Sequence, residues 1–281
     1  MTFLVDGEGQ VRPGWRAFGF LVALLLLLVV TTGLLSPWID ARQNLLGAKA
    51  VELGAVLGLT WLCLRGEDAS WATLGLRAEA PFWRELGLGA AWGAGLQLAA
   101  AGLLLATGMV SWVPGDGTPG GLAWVVALFA VVALHEELLF RGYPFQRFVQ
   151  GLGYWPAQVL YSGLMFAALH LGNPNQGASV LGWSMANIAL AGLLFGAMWR
   201  ATGRLGLAVG AHFAWNLTQG PLLGFGVSGN ALPSLLRAVP AEGRPVWMTG
   251  GAFGLEATLV CALACGGALV WFATRPPASG D

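Results

Sequence analysis

Eight stretches of this chain are apolar over about the length that a helix needs to cross a lipid bilayer, which is about 20 residues. The first stretch resembles a signal peptide, but it lacks a small-x-small cleavage site and is longer than a usual signal core. We therefore read it as a membrane span. The sequence predicts an all-α polytopic membrane protein with about eight transmembrane helices, two of them short, at 17–36, 46–64, 86–108, 121–140, 154–171, 178–200, 205–219 and 250–273.

Composition supports a membrane protein and argues against nucleic acid as a partner. Only 10% of the residues are charged, against about 25% in soluble domains, and the 14 basic and 14 acidic residues cancel. Lipid is therefore an expected partner, and the oligomeric state stays open. The small-residue pairs Gly89–Gly93 and Gly192–Gly196 predict close helix packing. The three cysteines lie in apolar runs and are predicted to pack there rather than form disulfides or bind zinc.

Basic residues predict the orientation of the chain, because they accumulate on the cytoplasmic side of a membrane. With a cytoplasmic N-terminus, ten arginines fall in inside segments, and the outside segments hold only Arg42, Lys49, Arg237 and Arg244. Both termini are therefore predicted to be cytoplasmic, and the membrane is expected to be a bacterial inner membrane. We predict one membrane domain over 1–281, with a catalytic core at 121–219 and flanking helices and loops at 1–120 and 220–281. The segment 220–249 is either a re-entrant or capping element or a loose loop.

The polar residues inside these apolar stretches are the candidates for function. An ionisable side chain at mid-bilayer costs about 2.5–3.5 kcal/mol, so several of them should face one another or a wet cavity. The set comprises all three histidines, two adjacent glutamates, one arginine and one asparagine: His135, His170, His212, Glu136, Glu137, Arg141 and Asn216.

Helical spacing predicts how these residues converge. Glu137 and Arg141 are four residues apart and can pair on one helix face, whereas Glu136 points about 100° away and is left as a free base. His212 and Asn216 share one helix face in the same way. If the fourth helix runs to Gln150 and turns at 151–153, an antiparallel hairpin places Glu136 and His170 within about 3 Å of the same depth. We predict that they meet in the inner leaflet.

This set of groups predicts hydrolysis of an amide without a covalent intermediate. A carboxylate and a histidine can activate water as general bases, and His212 and Asn216 can donate hydrogen bonds to a developing oxyanion. Two histidines with Glu136 are also an acceptable zinc shell, so a divalent metal such as zinc, or no cofactor at all, stays open. HEELL at 135–139 is not the H-E-x-x-H motif, because position 139 is Leu. Neither a Gly-x-Ser-x-Gly elbow nor a plausible catalytic cysteine is present in the sequence.

Three ordered motifs carry a resemblance to a known family. The sequence has EELLFR at 136–141, FAALH at 166–170 and HFAWN at 212–216. It resembles the CAAX prenyl endopeptidase type II family, also called the CAAX protease and bacteriocin-processing, or abortive-infection, family, over about 121–219. The resemblance implies an intramembrane glutamic- or metallo-endopeptidase of a peptide or lipidated protein, in which Glu136 and His170 activate water and His212 and Asn216 stabilise the oxyanion. Glu137 and Arg141 complete the predicted site, and Phe166 is predicted to contact the substrate.

Other interpretations stay open at this point. The chain is alternatively a non-catalytic membrane partner, such as a bacteriocin immunity or peptide-binding protein, and a transporter is a weaker third possibility. Outside the motifs we expect ordinary structural roles. His135 and Glu256 are predicted to lie at the membrane interface, Asn187 to make a helix–helix hydrogen bond, and Lys49 to pair with Glu52.

Overall fold

The computed structural model of the protein describes residues 3–35 and 44–277. Most of these residues are helical, and the helices follow the apolar runs. In chain order the helices are α1 (Pro13–Leu35), α2 (Leu45–Gly66), α3 (Ala80–Ala106), α4 (Pro119–Arg141), α5 (Tyr143–Leu152), α6 (Tyr154–Pro156), α7 (Phe166–Ala168), α8 (Ala178–Thr202), α9 (Gly206–Leu217), α10 (Val246–Thr249) and α11 (Leu259–Ala273). The strands are β1 (Val110–Pro114) and β2 (Leu236–Pro240).

Five helical stretches in the described ranges are long and apolar enough to span a bilayer. They are α1, α2, α3, the rod formed by α4 and α5, and α8. The polytopic, helical architecture agrees with the sequence, but eight spans are not confirmed. The run at 154–171 folds as α6, a π-helical stretch (Ala157–Met165) and α7, while α9 has 12 residues and α11 has 15.

The fourth helix does not run unbroken to Gln150 as predicted. It ends at Arg141, and Gly142 leaves the helical conformation with φ −80° and ψ −138° before α5 begins. Pro144 stands in the first turn of α5, where its missing N–H costs nothing. The predicted turn is confirmed, because Gly153 adopts φ +86° directly after α5.

A small sheet accompanies the helices, which the sequence did not predict, and the all-α class stays consistent with the mostly helical chain. Strands β1 and β2 pair in antiparallel fashion, with Val110 opposite Pro240 and Pro114 opposite Leu236. The indole nitrogen of Trp112 in β1 donates a hydrogen bond to the carbonyl of Leu223, at 2.7 Å. The segment 220–249 is therefore an ordered cap tied to the connection between α3 and α4, which decides between the two interpretations of the sequence.

Helices α3 and α9 pack with their backbones in contact. A Cβ at Gly89 or Gly93 would collide with the carbonyl of Leu207 or Ala211, and Gly210 on α9 faces Leu86 in the same way. The second predicted pair, Gly192–Gly196 on α8, faces Ser162 and Gln158 of the π-helical stretch. Both small-residue motifs therefore serve helix packing, as predicted, because glycine allows backbones to approach closely.

We expect Gly93→Ala to lower the midpoint of thermal unfolding in detergent, while Gly95→Ala does not. The added methyl at position 93 would lie 2.9 Å from the Trp215 amide nitrogen, and such overpacking typically costs about 1–3 kcal/mol. A Cβ at Gly95 meets no atom within 4 Å, so alanine there only improves helix propensity. Equal midpoints for the two variants would contradict the close approach of α3 and α9.

Glu67, which follows α2, ties together three helices at one end of the molecule. It accepts hydrogen bonds from the Tyr143 hydroxyl at 2.5 Å and from Arg147 of α5, and it lies 3.2 Å from Arg16 of α1. Burial raises the pKa of Glu67, but the hydrogen bonds from Arg147 and Tyr143 outweigh burial and lower it overall. Two of the arginines assigned to the inside therefore meet at one end, while Arg42 lies outside the described residues.

Candidate active site

Glu137 is the centre of a fully buried polar network. Its Oε1 accepts a hydrogen bond from Arg141 Nη1 at 3.0 Å, which confirms the pair predicted from the spacing on α4. The same oxygen lies 2.8 Å from Nδ1 of His212 on α9. Because an ionised carboxylate only accepts hydrogen bonds, Nδ1 carries the proton. Glu137 thus joins the first motif to the third, a link that the sequence did not reveal.

Arg141 is completely buried, and its guanidinium is held by backbone carbonyls and aromatic rings. Nη2 donates to the carbonyl of Gly192 at 2.6 Å and approaches that of Ser162 at 3.4 Å. The guanidinium carbon lies 5.1 Å from the centroid of the Phe166 ring and 5.5 Å from that of Phe195, within cation–π range. Arg141 therefore anchors α4 to α8 and to the helix that carries the second motif.

Glu136 points away from this network, as its position on the helix predicts. Its side chain is 14% exposed, and its Oε2 lies 3.7 Å from Nε2 of His212. The imidazole of His212 therefore stands between the two glutamates, with Nδ1 toward Glu137 and Nε2 toward Glu136. Phe195 stacks on the His212 ring at 5.1 Å between centroids, with the two planes 16° apart. This packing fixes the plane in which the two nitrogens point.

His170 directly follows α7 and is oriented by its own motif. Its Nδ1 lies 2.7 Å from the carbonyl oxygen of Phe166, and its ring lies 4.7 Å from the Phe166 ring between centroids. A carbonyl oxygen only accepts hydrogen bonds, so Nδ1 is the donor, and in the neutral imidazole Nε2 then carries the lone pair. The phenylalanine of the F-x-x-x-H motif thus orients the histidine through both its backbone and its ring.

A cavity of about 390 Å³ brings the three motifs together. Its lining includes the residues predicted to converge from α4, α7 and α9, namely Glu136, Phe166, His170, His212 and Asn216. Glu137 and Arg141 lie behind this wall. Glu136 stands near the middle of the 34-residue rod Pro119–Leu152, and the inner-leaflet depth of the site stays a prediction.

His135 is buried against α2 rather than exposed at the protein surface, which the sequence did not predict, and its depth in the membrane stays a prediction. Its side chain is 8% exposed and lines the same cavity, with Nδ1 3.7 Å from Oε2 of Glu52. The predicted pair of Lys49 and Glu52 is confirmed at 2.8 Å, and both residues also line the cavity. Helix α2 therefore contributes a polar wall to the site, although no motif marks it.

Glu256 is also buried within the protein, and its predicted position at the membrane interface stays a prediction. It is 7% exposed, lies in the 3-10 turn Leu255–Ala257 before α11, and lines the cavity. An acid just before an apolar helix looks like an interfacial residue, so no sequence signal marked its place in the cavity. Asn187 of α8 donates hydrogen bonds to the carbonyls of Glu256 and Thr258, both at 2.9 Å. Its predicted structural role is confirmed, with this turn as the partner rather than another helix.

The residues do not fit the zinc arrangement that the sequence left open. Across 3–35 and 44–277, no three His, Cys, Asp or Glu side chains form a group with metal-binding geometry. The Nδ1 atoms of His170 and His212 are engaged by Phe166 and Glu137, which leaves one nitrogen, Nε2, on each ring, and these two nitrogens do not form a three-ligand group with any carboxylate of the described residues. We therefore derive no step through a metal.

Comparison with known proteins agrees with the motifs. Residues 118–218 match the family described as Type II CAAX prenyl endopeptidase Rce1-like, so the predicted resemblance is confirmed. The match begins at the N-cap of α4 and ends just after α9, so it contains all seven predicted site residues. No curated protein and no solved structure matches the chain. With five helices able to span a bilayer, the match points to an integral membrane protein.

Proposed function

We propose that this chain, whose residues 118–218 form an Rce1-like type II CAAX prenyl endopeptidase domain, is an intramembrane endopeptidase acting on a membrane-associated or lipidated substrate. One observation carries the proposal. Glu136, His170, His212 and Asn216 come from three separate segments, and all line one cavity among apolar helices. Placing such groups inside a membrane protein costs free energy, so their presence together supports a functional site.

Glu136 and His170 are proposed to activate the attacking water. Of the two adjacent glutamates, Glu136 is the one exposed to the cavity, and it does not take part in the ion pair of Glu137 with Arg141. The unprotonated Nε2 of His170 can accept a second hydrogen bond from the same water. Glu136 takes one proton as the water oxygen bonds to the carbonyl carbon of the substrate, which is general base catalysis.

His212 and Asn216 are proposed to stabilise the negative oxygen that this attack creates. To donate from Nε2, His212 must carry protons on both nitrogens. The Glu137 carboxylate at 2.8 Å from Nδ1 favours that charged form, much as the aspartate of a serine protease supports its histidine. Asn216 lies one turn further along α9 and adds an amide donor. Donors aimed at developing charge lower the barrier without reorganisation.

The rest of the site is proposed to position these groups and the substrate. The ion pair of Glu137 and Arg141 fixes His212 against α4 and holds α8 in place. Phe166 orients His170 and presents an edge to the cavity, where it can contact an apolar substrate. Leu128, Val132 and Leu169 also line the cavity, which favours a peptide that carries apolar side chains or a lipid.

The direct test is cleavage of a farnesylated peptide with a C-terminal CAAX sequence by the purified protein in liposomes. We expect mass spectrometry to find a shortened farnesylated peptide and the released C-terminal fragment. The reason is that the cavity supplies both a base and oxyanion donors for amide hydrolysis. A peptide that binds the liposome-embedded protein but stays intact would contradict the proposal and favour a non-catalytic membrane partner.

A further inference from the structure

Besides Glu136 and Glu52, which pairs with Lys49, the cavity holds a third carboxyl group, that of Glu256, which the proposed mechanism does not use. Glu256 lines the same cavity as Glu136 and His170 and is 7% exposed. Among the ion pairs of the described chain, none includes Glu256, so no lysine, arginine or histidine nitrogen lies within 4 Å of its carboxyl group. A buried carboxylate without a cation is costly, and it is retained where it has a function.

The cap of the molecule fixes this carboxyl group in place. Ser228 donates two hydrogen bonds to Glu256 Oε2, from its amide at 2.6 Å and from its hydroxyl at 3.0 Å. The neighbouring Gly229 donates its amide to the carbonyl of Phe253 at 3.0 Å. Its own carbonyl accepts a hydrogen bond from Asn175, in the loop after His170, at 2.8 Å. Three loops therefore converge on Glu256, and its side chain is held rather than free to rotate.

The carboxyl groups of Glu136 and Glu256 have opposite surroundings. Glu136 lies 3.7 Å from an imidazole nitrogen of His212 that can be positively charged, whereas Glu256 has only neutral donors. Both bonds from Ser228 go to Oε2, which leaves Oε1 as the oxygen to carry a proton. Burial raises the pKa of Glu256, and the opposing hydrogen bonds from Ser228 do not cancel that effect. Environments that separate two carboxyl groups in this way assign one as base and the other as acid.

We propose that Glu256 is the general acid that protonates the leaving amine, a role that rests on the proposed peptidase function. Glu136 removes one proton from water, and the resulting hydroxide oxygen bonds to the carbonyl carbon. As the carbon–nitrogen bond breaks, the Glu256 carboxyl gives its proton to the amine nitrogen, and the oxyanion returns to a carbonyl. The proton on Glu136 then passes to Glu256 by way of His170 Nε2. His170, Glu136 and Glu256 line the same cavity, so the cycle closes with no net change in the protein.

Few groups lie next to Glu256, so its titration can be distinguished from that of the other ionisable residues of the cavity. The segment ending at His170 presents that imidazole, and α11 presents the thiol of Cys261. The neutral neighbours are Asn187 from α8, Ser228 from the cap and Gln219 from the turn after α9. Across the cavity lie Lys49, Glu52, His135, Glu136 and His212.

The wild-type protein provides the first test, which does not depend on folding of a variant. The probes are the farnesylated CAAX peptide and the same lipidated residue joined through an aryl ester, whose phenolate leaves without a proton. A general acid works only while protonated, so the rate of amide cleavage should fall as pH rises through the pKa of Glu256. The rate of ester cleavage should not show this fall. Identical alkaline limbs for the two substrates would overturn the proposal.

Glu256→Gln provides the second test, because glutamine still accepts the hydrogen bonds from Ser228 but donates no proton. We expect amide cleavage to fall by about 100-fold or more, as for loss of a general acid, and ester cleavage to fall by less than about 10-fold. Glu79→Gln, at an exposed acid, is the matched control. Equal losses of rate on both substrates would indicate a structural role for Glu256. Unchanged amide cleavage would also exclude Glu256 as the general acid.

Failure of the proposed role of Glu256 can be distinguished from failure of the proposed peptidase function. If wild-type protein cuts the amide and Glu136→Gln does not, while Glu256→Gln behaves as wild type, only the role of Glu256 is overturned. If wild-type protein cuts neither substrate, the peptidase function fails and the role of Glu256 fails with it.

Discussion

Glu136→Gln is expected to reduce cleavage of the farnesylated peptide by about 100-fold to 10,000-fold, the range for loss of a general base. Glutamine keeps the size of the side chain but cannot take a proton from water. The substitution leaves the ion pair of Glu137 and Arg141 intact, so the variant should accumulate in the membrane and unfold at the wild-type temperature. Initial rates in liposomes and a thermal unfolding curve check both parts.

Two comparisons make this result specific. Glu79→Gln makes the same chemical change at an exposed position far from the cavity and should leave the rate unchanged. His170→Ala should resemble Glu136→Gln, because it removes the second acceptor for the water. Full activity in both Glu136→Gln and His170→Ala would show that the catalytic assignment is wrong. A biological effect that survives in Glu136→Gln would favour a binding protein instead.

Glu137→Gln is expected to have the largest effect on stability, because it leaves the charge of Arg141 without its partner in a fully buried site. Breaking a buried ion pair by removing one partner typically costs about 3–5 kcal/mol. His212 also loses the carboxylate that holds its Nδ1 proton. We expect a lower yield of folded protein and a lower unfolding temperature in detergent, with turnover lost as well.

The double variant Glu137→Gln with Arg141→Met separates stability from catalysis. Replacing both members of a buried ion pair by uncharged residues is often neutral, so the double variant should recover most of the unfolding temperature. It should not recover cleavage, because His212 still lacks its carboxylate. Normal stability in Glu137→Gln alone, with turnover lost, would contradict the anchoring role and move Glu137 into the chemistry.

Local spacing explains why the convergence of the motifs could be predicted. Glu137 and Arg141 pair because residues four apart share a helix face, and that pair forms whatever surrounds it. The same rule placed His212 and Asn216 together on α9. The turn at Gly153, also predicted, reverses the chain between the first and second motifs. These features depend on a few neighbouring residues, so they can be predicted from the sequence.

Contacts between distant segments could not be predicted in this way. The bond from His212 to Glu137 depends on how α9 lies against α4, and the position of Glu256 depends on a cap formed by three loops. The pairing of β1 with β2 joins segments more than 100 residues apart. No spacing rule along one helix contains such information. The burial of His135 could not be predicted for the same reason, since α2 covers it and no motif marks α2.

Eight membrane spans are not confirmed, because hydropathy measures composition and not helix length. The apolar run at 154–171 has enough apolar residues for a membrane span. It forms a helix of mixed α and π character that ends at Ala168, just before His170. Helix α9 is similarly short because it turns into the cap. Both segments carry motifs of the candidate site, so two short apolar runs contribute to it together with the long helix α4.

The backbone contact between α3 and α9 limits how this protein can change during evolution. A larger side chain at Gly89 or Gly93 cannot be compensated by a smaller one opposite, because the atoms that it would meet are main-chain atoms of Leu207, Ala211 and Trp215. The helices would have to move apart, and His212 would travel with α9 away from the 2.8 Å contact with Glu137. A substitution at one of these glycines, although remote from the candidate site, would therefore first displace the imidazole of His212.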